Sequence, residues 1–394
     1  MISNPGPTRI PKGVWALGLV SMFMDVSSEL IHGLLPIFMT TTLGISAFGV
    51  GLIEGAAEGA ALLVKALSGA LSDYMARRKP LAVAGYGLSA LSKPLFAIAT
   101  GAGTVFLARF VDRIGKGIRG APRDALVADI APAEIRGAAF GLRQSLDTIG
   151  AVAGPALAMA LMLAWNNDVR SIFWVAAAPG FLSVAILIAF VREPHKPASS
   201  PSPNPIHLRE IKRLSGAYWR VVAIGAAFML ARFSEAFLVL RLQQTGLPIS
   251  AAPLALVVMN LVYALSAYPF GKLSDRLSHR LLLALGFGVL IIADLTLAFA
   301  VSWGTVLIGI AIWGLHMGMT QGLLAAMVAH AAPADLRGTA FGFFHLIGGM
   351  AMLVSSALAG LLWQTFGAEY AFHAGAFFCV AGLAGLLWEK VGPR

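Results

Sequence analysis

The 394-residue sequence has little charge and almost no cysteine. Only 12% of its residues are charged, whereas soluble domains carry about 25%. Cys379 is the single cysteine, which excludes an internal disulfide and argues against a cysteine metal cage or thiol redox chemistry. Zinc-protease and phosphate-binding-loop motifs are also missing. The sequence therefore predicts neither an enzyme nor a protein with a bound cofactor.

The sequence is instead rich in long apolar stretches. Hydrophobic residues make up 58% of it, and apolar stretches of about 20 residues, each long enough to cross a bilayer, recur along nearly the whole chain. We therefore predict an all-α polytopic membrane protein, embedded in a lipid bilayer, with about twelve transmembrane helices. The predicted spans are residues 14–39, 48–71, 80–100, 104–126, 137–163, 171–191, 218–243, 252–273, 280–301, 304–329, 338–364 and 370–389.

The sequence also contains an internal duplication. Ala128–Gly141 recurs at Ala329–Gly342, and Gly69–Asp73 recurs at Gly271–Asp275, in both cases about 200 residues further along. Two parallel repeats in a very apolar chain predict two pseudo-symmetric six-helix bundles with a solute site between them. The predicted division is an N-terminal bundle at 1–191, a cytoplasmic linker at 192–216 and a C-terminal bundle at 217–394.

Positive charge is distributed unevenly over the predicted loops. The net charge is +10, and the loops after even-numbered spans carry the cations, for example Arg77, Arg78 and Lys79. The positive-inside rule then places both termini in the cytoplasm and the chain in the inner (plasma) membrane. This topology explains the charge without a nucleic-acid partner. Met1–Lys12 is polar and the run after it contains Asp25, features that a cleavable signal would not have.

Ionisable side chains inside the predicted spans are candidate functional groups, since each costs at least about 2.5–3.5 kcal/mol to insert. Asp25, Glu29 and His32 share one face of span one, and Glu54 and Glu58 form a stripe on span two. The full set predicted for proton coupling or for the substrate cavity is Asp25, Glu29, His32, Glu54, Glu58, Arg109, Asp112, Arg113, Arg143, Asp147, Arg232 and Glu235. Helix packing would need polar residues equally in both halves, so their concentration in the first half indicates ion or substrate handling.

A mechanism follows from the clustering of the acids. Burial and nearby like charge favour the neutral form of a carboxylic acid, so some of the four acids of spans one and two should bind protons near neutral pH. The hypothesis is that Asp25 or Glu29 carries the proton and that Arg113 with Asp112 controls its release. The alternative is that these groups form static buried ion pairs between helices.

A second group of charged residues is predicted at the cytoplasmic face. An aspartate beside a helix N-terminus and arginines is stabilised by the helix dipole and by charge together. Such a cluster would latch the two halves, and breaking it would let them separate on that side. The predicted cytoplasmic gate consists of Asp73, Arg77, Arg78, Arg119, Arg123, Asp275 and Arg276.

Several motifs resemble those of the major facilitator superfamily of secondary transporters. Gly69–Lys79 is similar to the family signature between helices two and three, and Gly271–Arg280 stands at the matching place in the second half. Arg113–Ala121 resembles the fourth-helix motif around an arginine linked to proton coupling, and Gly150–Pro155 resembles the fifth-helix motif of the drug:proton antiporters. The resemblance implies alternating access between two bundles, with protons as the coupling ion and with export by antiport.

The predicted function is therefore secondary active transport by a monomer, as proton-coupled efflux of a small organic compound. Two alternatives stay open. Asp25, Glu29 and His32 could ligate a divalent cation, which would make the chain a metal-ion exporter of the same fold. Proton-coupled import is the other alternative. The charge of the substrate is open as well, because the acids of spans one and two suit cations whereas the arginines suit anions.

Overall fold

The chain is helical throughout the part that the structure describes. A computed structural model describes residues 10–75, 77–194, 213–274, 276–320, 322–333 and 336–388, apart from the side chains of 70, 73–75, 337 and 388. No strand occurs in these ranges. Twelve long helices are labelled α1 (Lys12–His32), α2 (Ala47–Met75), α3 (Lys79–Ala97), α4 (Ala102–Ile130), α5 (Arg136–Ala164), α6 (Val169–Phe190), α7a (Gly216–Ala231) with α7b (Ala236–Gln243), α8 (Leu254–Ser274), α9 (His279–Ala298), α10a (Trp303–Thr320) with α10b (Leu323–Ala331), α11 (Arg337–Thr365) and α12 (Ala368–Trp388).

Most of these helices are long and apolar enough to cross a membrane. Ten helical segments in the described ranges meet this requirement by length and composition, and α3 and α4 are the long helices that do not. The middle of α4 carries Arg109, Asp112 and Arg113, so it can lie in a bilayer only with these side chains turned into the protein. All three are at most 2% exposed, and the prediction of an all-α membrane protein is confirmed.

The helices form two groups that follow the sequence duplication. In the first half, α1 packs on α5 and α6, and α4 packs on α2 and α3. In the second half, α7a packs on α11 and α12, and α10a packs on α8 and α9. We call the side on which α1 begins and α12 ends the terminal side. The other side, which carries the connections at 43–46, 98–101 and 165–168, is called the opposite side.

The two halves are joined by close contacts that run from the opposite side to the middle. A Cβ at Gly59 of α2 would lie 2.8 Å from the carbonyl oxygen of Gly349 of α11, and the reverse distance is also 2.8 Å. Nearer the opposite side, Gly360 of α11 lies against the backbone of Ala47. Glycine is needed here because any side chain would separate the two backbones.

The seventh span is interrupted, whereas the sequence predicts one continuous helix at 218–243. Helix α7a ends at Ala231, the backbone of Arg232 leaves the helical region with φ −103° and ψ 84°, and α7b begins at Ala236. The free N–H of Ser234 donates to Ser356 Oγ of α11 at 3.1 Å. Irregular backbone at membrane depth is tolerated where it is buried in protein or lines a cavity, so the interruption marks a place to look for a site.

The predicted domain boundaries stay predictions. Most of the linker at 192–216 falls in residues 195–212, which lie outside the described residues.

Candidate functional site

A cavity of about 170 Å³ lies between the two halves, at the interruption of the seventh span. It is lined by Glu29, His32, Glu58, Arg113, Lys116, Arg232, Phe233, Ser234, Glu235 and Met352. Seven of these ten side chains are ionisable, in a protein with few charges. Because convergent ionisable groups in a membrane protein's interior mark ion and substrate pathways, this cavity is the candidate site.

The two acids of α1 lie on the face that packs against α5. A Cβ at Gly150 would be 3.0 Å from Asp25 Cβ, and one at Gly154 would be 2.7 Å from Glu29 Cβ. Glu29 lines the cavity, and its Oε2 is 3.4 Å from His32 Nδ1. Asp25 is not in the lining; the charges that act on it most strongly are the like charge of Asp147 and the cation of Lys116.

A buried ion-pair network stands behind the cavity between α2 and α4. Arg109 Nη2 is 2.6 Å from Glu54 Oε2, and both side chains are at most 1% exposed. Glu58 bridges this network to the cavity, with Oε1 3.8 Å from Arg109 Nη2 and 3.0 Å from Arg113 Nε. The contact with Arg113 is an ion pair whose Nε–H is not aimed at the oxygen as a hydrogen bond requires. The Glu54 carboxylate is therefore held in a buried ion pair with Arg109, whereas the side chain of Glu58 is 29% exposed.

The sequence analysis missed the partner of Asp112. Lys93 of α3 is 1% exposed, and its Nζ lies 2.8 Å from Asp112 Oδ1 and 3.0 Å from Ser28 Oγ of α1. Arg109 Nη1 adds a weaker contact with Asp112 at 4.0 Å. One signal was available in the sequence, since Ser92-Lys93-Pro94 places a lysine inside an apolar predicted span.

A second charged cluster joins α4 and α5. Arg143 Nη1 is 3.4 Å from Asp147 Oδ2, and Arg123 Nη1 is 3.6 Å from Asp147 Oδ1. Arg123 also donates to Ser21 Oγ of α1 at 3.3 Å. The predicted residues Arg143 and Asp147 are thus brought together, next to Asp25 and outside the cavity lining.

Two of the predicted gate residues have their described contacts within the first half. Arg119 is 4% exposed, donates to Ser89 Oγ of α3 and stacks on the Tyr86 ring at 4.9 Å. Arg123 points into the first half, as described above. Helix α4 continues to Ile130, so Arg119 lies about three turns before its end.

The other predicted gate residues lie at the ends of helices or outside the described residues. Arg78 Nη1 is 3.1 Å from Asp129 Oδ2 at the end of α4, and its backbone N–H donates to Glu193 after α6. Arg77 and Arg276 are exposed. The side chain of Asp73 and all of Asp275 are not among the described residues. A latch across the halves therefore stays a prediction.

The second half contributes the side chains of the α7 interruption. Arg232 and Glu235 line the cavity, together with Phe233 and Ser234, which the sequence analysis did not single out. The Arg232 guanidinium lies 5.9 Å from the Phe228 ring. Neither Arg232 nor Lys116 has a carboxylate oxygen within ion-pair distance among the described residues, so both cations are available to a bound group.

The geometry gives no support to a metal site. Among the described residues, no group of three or more His, Cys, Asp or Glu side chains is arranged to hold a metal ion. Of the proposed ligands, Glu29 and His32 are in contact, whereas Asp25 lies outside the cavity lining.

Comparison with known proteins agrees with the fold. The family model described as Major Facilitator Superfamily matches residues 17–240 and 221–394. An uncharacterised MFS-type transporter of Methanocaldococcus jannaschii, MJ1317, is 32% identical over 363 residues, covering 90% of this chain and 89% of the relative. The quinolone resistance protein NorA of Staphylococcus aureus is 23% identical over 171 residues, 43% of each chain. The crystal structure of a bacterial homolog of the human lysosomal transporter Spinster has a TM-score of 0.76 at 16% identity, covering 95% of each chain.

The chain belongs to the major facilitator superfamily, and it is a multi-pass membrane transporter, not an enzyme. Its site therefore has to bind a solute between two halves and release it on the other side. The cavity contains acids as well as two cations without an ion-pair partner among the described residues, so it offers groups of both signs to a bound small molecule.

Proposed function

We propose that the chain exports a small organic compound in exchange for protons, with Asp25 and Glu29 as the proton carriers and the cavity as the solute site. The observation that carries the proposal is the position of Glu29, which lines the cavity while having His32 as its contact partner. Histidine is charged only when protonated, and among the described residues no arginine or lysine lies within ion-pair distance of this carboxylate, although Arg113 and Lys116 line the same cavity. Glu54 and Asp112, by contrast, are enclosed by Arg109 and Lys93.

The surroundings of Asp25 also suit a proton carrier. The like charge of Asp147 disfavours an ionised Asp25, although Asp147 itself is paired with Arg123 and Arg143. The cations that act most strongly on Asp25, Lys116 and Arg119, are on α4, while Asp147 is on α5. A movement of α4 relative to α1 and α5 would change this balance, which is what loading a proton on one side and releasing it on the other requires.

Two observations support export by antiport. Gly150 and Gly154, of the segment that resembles the antiporter fifth-helix motif, pack directly on Asp25 and Glu29. Part of the chain is also similar to NorA, whose name describes it as a quinolone resistance protein. A proton and a cationic solute would neutralise the same carboxylates, so they would exclude each other from the cavity, as exchange demands.

Import of an organic anion is the second candidate, and the two unpartnered cations of the cavity favour it. An anion bound at Lys116 and Arg232 would be repelled by ionised Glu29. Protonation of Glu29 would remove this repulsion, so proton and anion would bind together and move in the same direction. The charge of the solute thus decides between exchange and co-transport.

Reconstitution in liposomes tests the proposal. The purified protein is placed in vesicles with a pH-sensitive dye inside, and cationic drugs, divalent metals and organic anions are added under an imposed pH gradient. We expect an organic cation to drive proton movement in the opposite direction, and we expect Asp25→Asn or Glu29→Gln to abolish the response. Glu134→Gln, an exposed acid in the loop before α5, is the matched control. Uphill transport that persists in each single mutant would show that neither acid is the carrier.

A further inference from the structure

A carboxylic acid in the second half stands outside the site described above. Asp294, on α9, is 0% exposed. Neither of its oxygens has a hydrogen-bond partner among the described residues. It forms no ion pair there either, in contrast to Glu54 and Asp112, which are equally buried but paired with cations.

The position of Asp294 is set by α7a and α12. A Cβ at Gly375 of α12 would lie 2.6 Å from Asp294 Oδ2 and 3.2 Å from the carbonyl oxygen of Ala231. The carboxyl group and this carbonyl therefore both approach the same glycine. Ala231 is the last residue of α7a, so its carbonyl belongs to the group that a helix end leaves without intrahelical donors.

The charges around Asp294 do not favour an ionised carboxylate. The titratable group of α12 that acts on it is the Cys379 thiol, and His373 of that helix packs against Phe299, beyond the end of α9. On α10a, His316 contacts the carbonyl of Gly286, which lies about two turns before Asp294 on α9. At the start of α9, His279 faces His330 of α10b. After α7a, Arg232 turns into the cavity, and the helix end itself carries partial negative charge.

We propose that Asp294 is a proton-binding site of the second half, occupied by a proton in this conformation. A neutral carboxyl group has an O–H donor, and the Ala231 carbonyl beside it is an acceptor that lacks a helical partner. Loss of the proton would leave a bare carboxylate against the negative end of α7a in an apolar interior. The proton can therefore leave only when the end of α7a separates from α12, a movement that also displaces the cavity-lining residues 232–235. This inference does not depend on the direction of transport or on the roles of Asp25 and Glu29.

Infrared spectroscopy of the purified protein tests the assignment directly. At mildly alkaline pH, the wild-type protein should show the C=O stretching band of a neutral carboxylic acid, and Asp294→Asn should lose part of the intensity of that band. Asp124→Asn, which removes an acid that is paired with Arg123 and 40% exposed, should leave the intensity unchanged. A band of equal intensity in the wild type and Asp294→Asn would overturn the proposal, whatever the transport assays give for Asp25 and Glu29.

The pH dependence of stability is a second test. Asparagine has nearly the shape of the neutral acid and keeps a donor, so Asp294→Asn should fold. Above the ordinary range of an aspartate, the folded wild type would bind a proton that the unfolded chain releases. Its folding constant should then fall about tenfold per pH unit relative to Asp294→Asn. Parallel stability curves would overturn the proposal. Stabilisation by sodium over choline that is lost in Asp294→Asn would also overturn it, since it would assign a metal cation in place of the proton.

Discussion

The pair formed by Lys93 and Asp112 gives the sharpest test of which charges are structural. Lys93 Nζ and Asp112 Oδ1 are 2.8 Å apart, and the two side chains are 1% and 3% exposed. Removing one partner of such a buried pair leaves the other charge uncompensated, at a cost of roughly 3–5 kcal/mol. We expect a loss in this range for Lys93→Met, because the other cation within ion-pair distance of Asp112 among the described residues, Arg109, is 4.0 Å away. Asp112→Asn should lose a similar amount, since the Lys93 ammonium would keep only neutral partners among the described residues, the Ser28 hydroxyl and the new amide.

The double variant separates a pair from two independent sites. Lys93→Met with Asp112→Asn removes both charges, so its loss should be well below the sum of the single losses, with a coupling energy of about 1–3 kcal/mol. The measurement is a denaturant titration in bicelles, followed by tryptophan fluorescence and repeated for each of the four proteins. Arg78 and Asp129, 3.1 Å apart but 20% and 11% exposed, form the comparison pair, for which we expect losses of about 1 kcal/mol or less.

The same variants address the hypothesis that Asp112 controls proton release. If Asp112 is structural, the double variant should exchange protons for solute in vesicles as the wild type does. Strictly additive losses of stability would refute the assignment of Lys93 and Asp112 as a pair. A stable double variant that no longer couples transport to protons would show that Asp112 takes part in proton coupling.

Two further predictions concern the helix contacts and a helix cap. Gly59→Val should destabilise this conformation by roughly 1–3 kcal/mol, because the new side chain would meet the Gly349 carbonyl. Gly87→Val is the control, since nothing lies within 4 Å of a Cβ at that position. Equal melting temperatures for the two variants would contradict the prediction. Asp168 caps α6, and the Ser171 hydroxyl together with the backbone N–H groups of Ser171 and Arg170 lowers the pKa of Asp168. The stabilisation of the folded protein by the ionised Asp168 cap should be fully present above the ordinary aspartate pKa of about 3.9. It should be lost as the pH falls through the lower pKa that Asp168 has in the folded state. Asp168→Ala should therefore cost about 1 kcal/mol at neutral pH and nothing in strong acid, and a cost that does not depend on pH would contradict the role of the carboxylate.

Much of the fold could be predicted from the sequence, because apolar stretches of about 20 residues indicate bilayer-spanning helices and the internal duplication indicates two similar halves. The predicted fourth span, 104–126, lies within α4, which runs from Ala102 to Ile130. Hydrophobicity does not indicate how far a helix continues once it becomes charged. Nor does it indicate that Arg119 and Arg123, predicted for the cytoplasmic gate, contact Ser89 and Asp147 within the first half.

The interruption of the seventh span could not be predicted, because residues 229–236 contain neither proline nor glycine. Its cause is tertiary, since the N–H of Ser234 is satisfied by Ser356 on another helix. Tertiary contacts also determine which acids of the first half are paired with cations. Helical spacing places Glu54 and Glu58 on one face, but the pairing of Glu54 with Arg109 and of Asp112 with Lys93 depends on how α2, α3 and α4 pack.

The distribution of ion pairs bears on how the two halves can separate. The ion pairs described above all lie within the first half, between residues 29 and 147. Among the described residues, the contacts that join the halves are neutral, such as Gly59 with Gly349 and the hydrogen bond from Asn260 Nδ2 to the Ala151 carbonyl at 2.9 Å. Separating these contacts on the opposite side would leave no unpaired buried charge. The charges whose surroundings do change on opening are those that line the cavity from both halves, Glu29, Lys116 and Arg232. A bound solute or proton can therefore bias the equilibrium between the two conformations through these groups, because a ligand shifts such an equilibrium only by its difference in affinity for the two states.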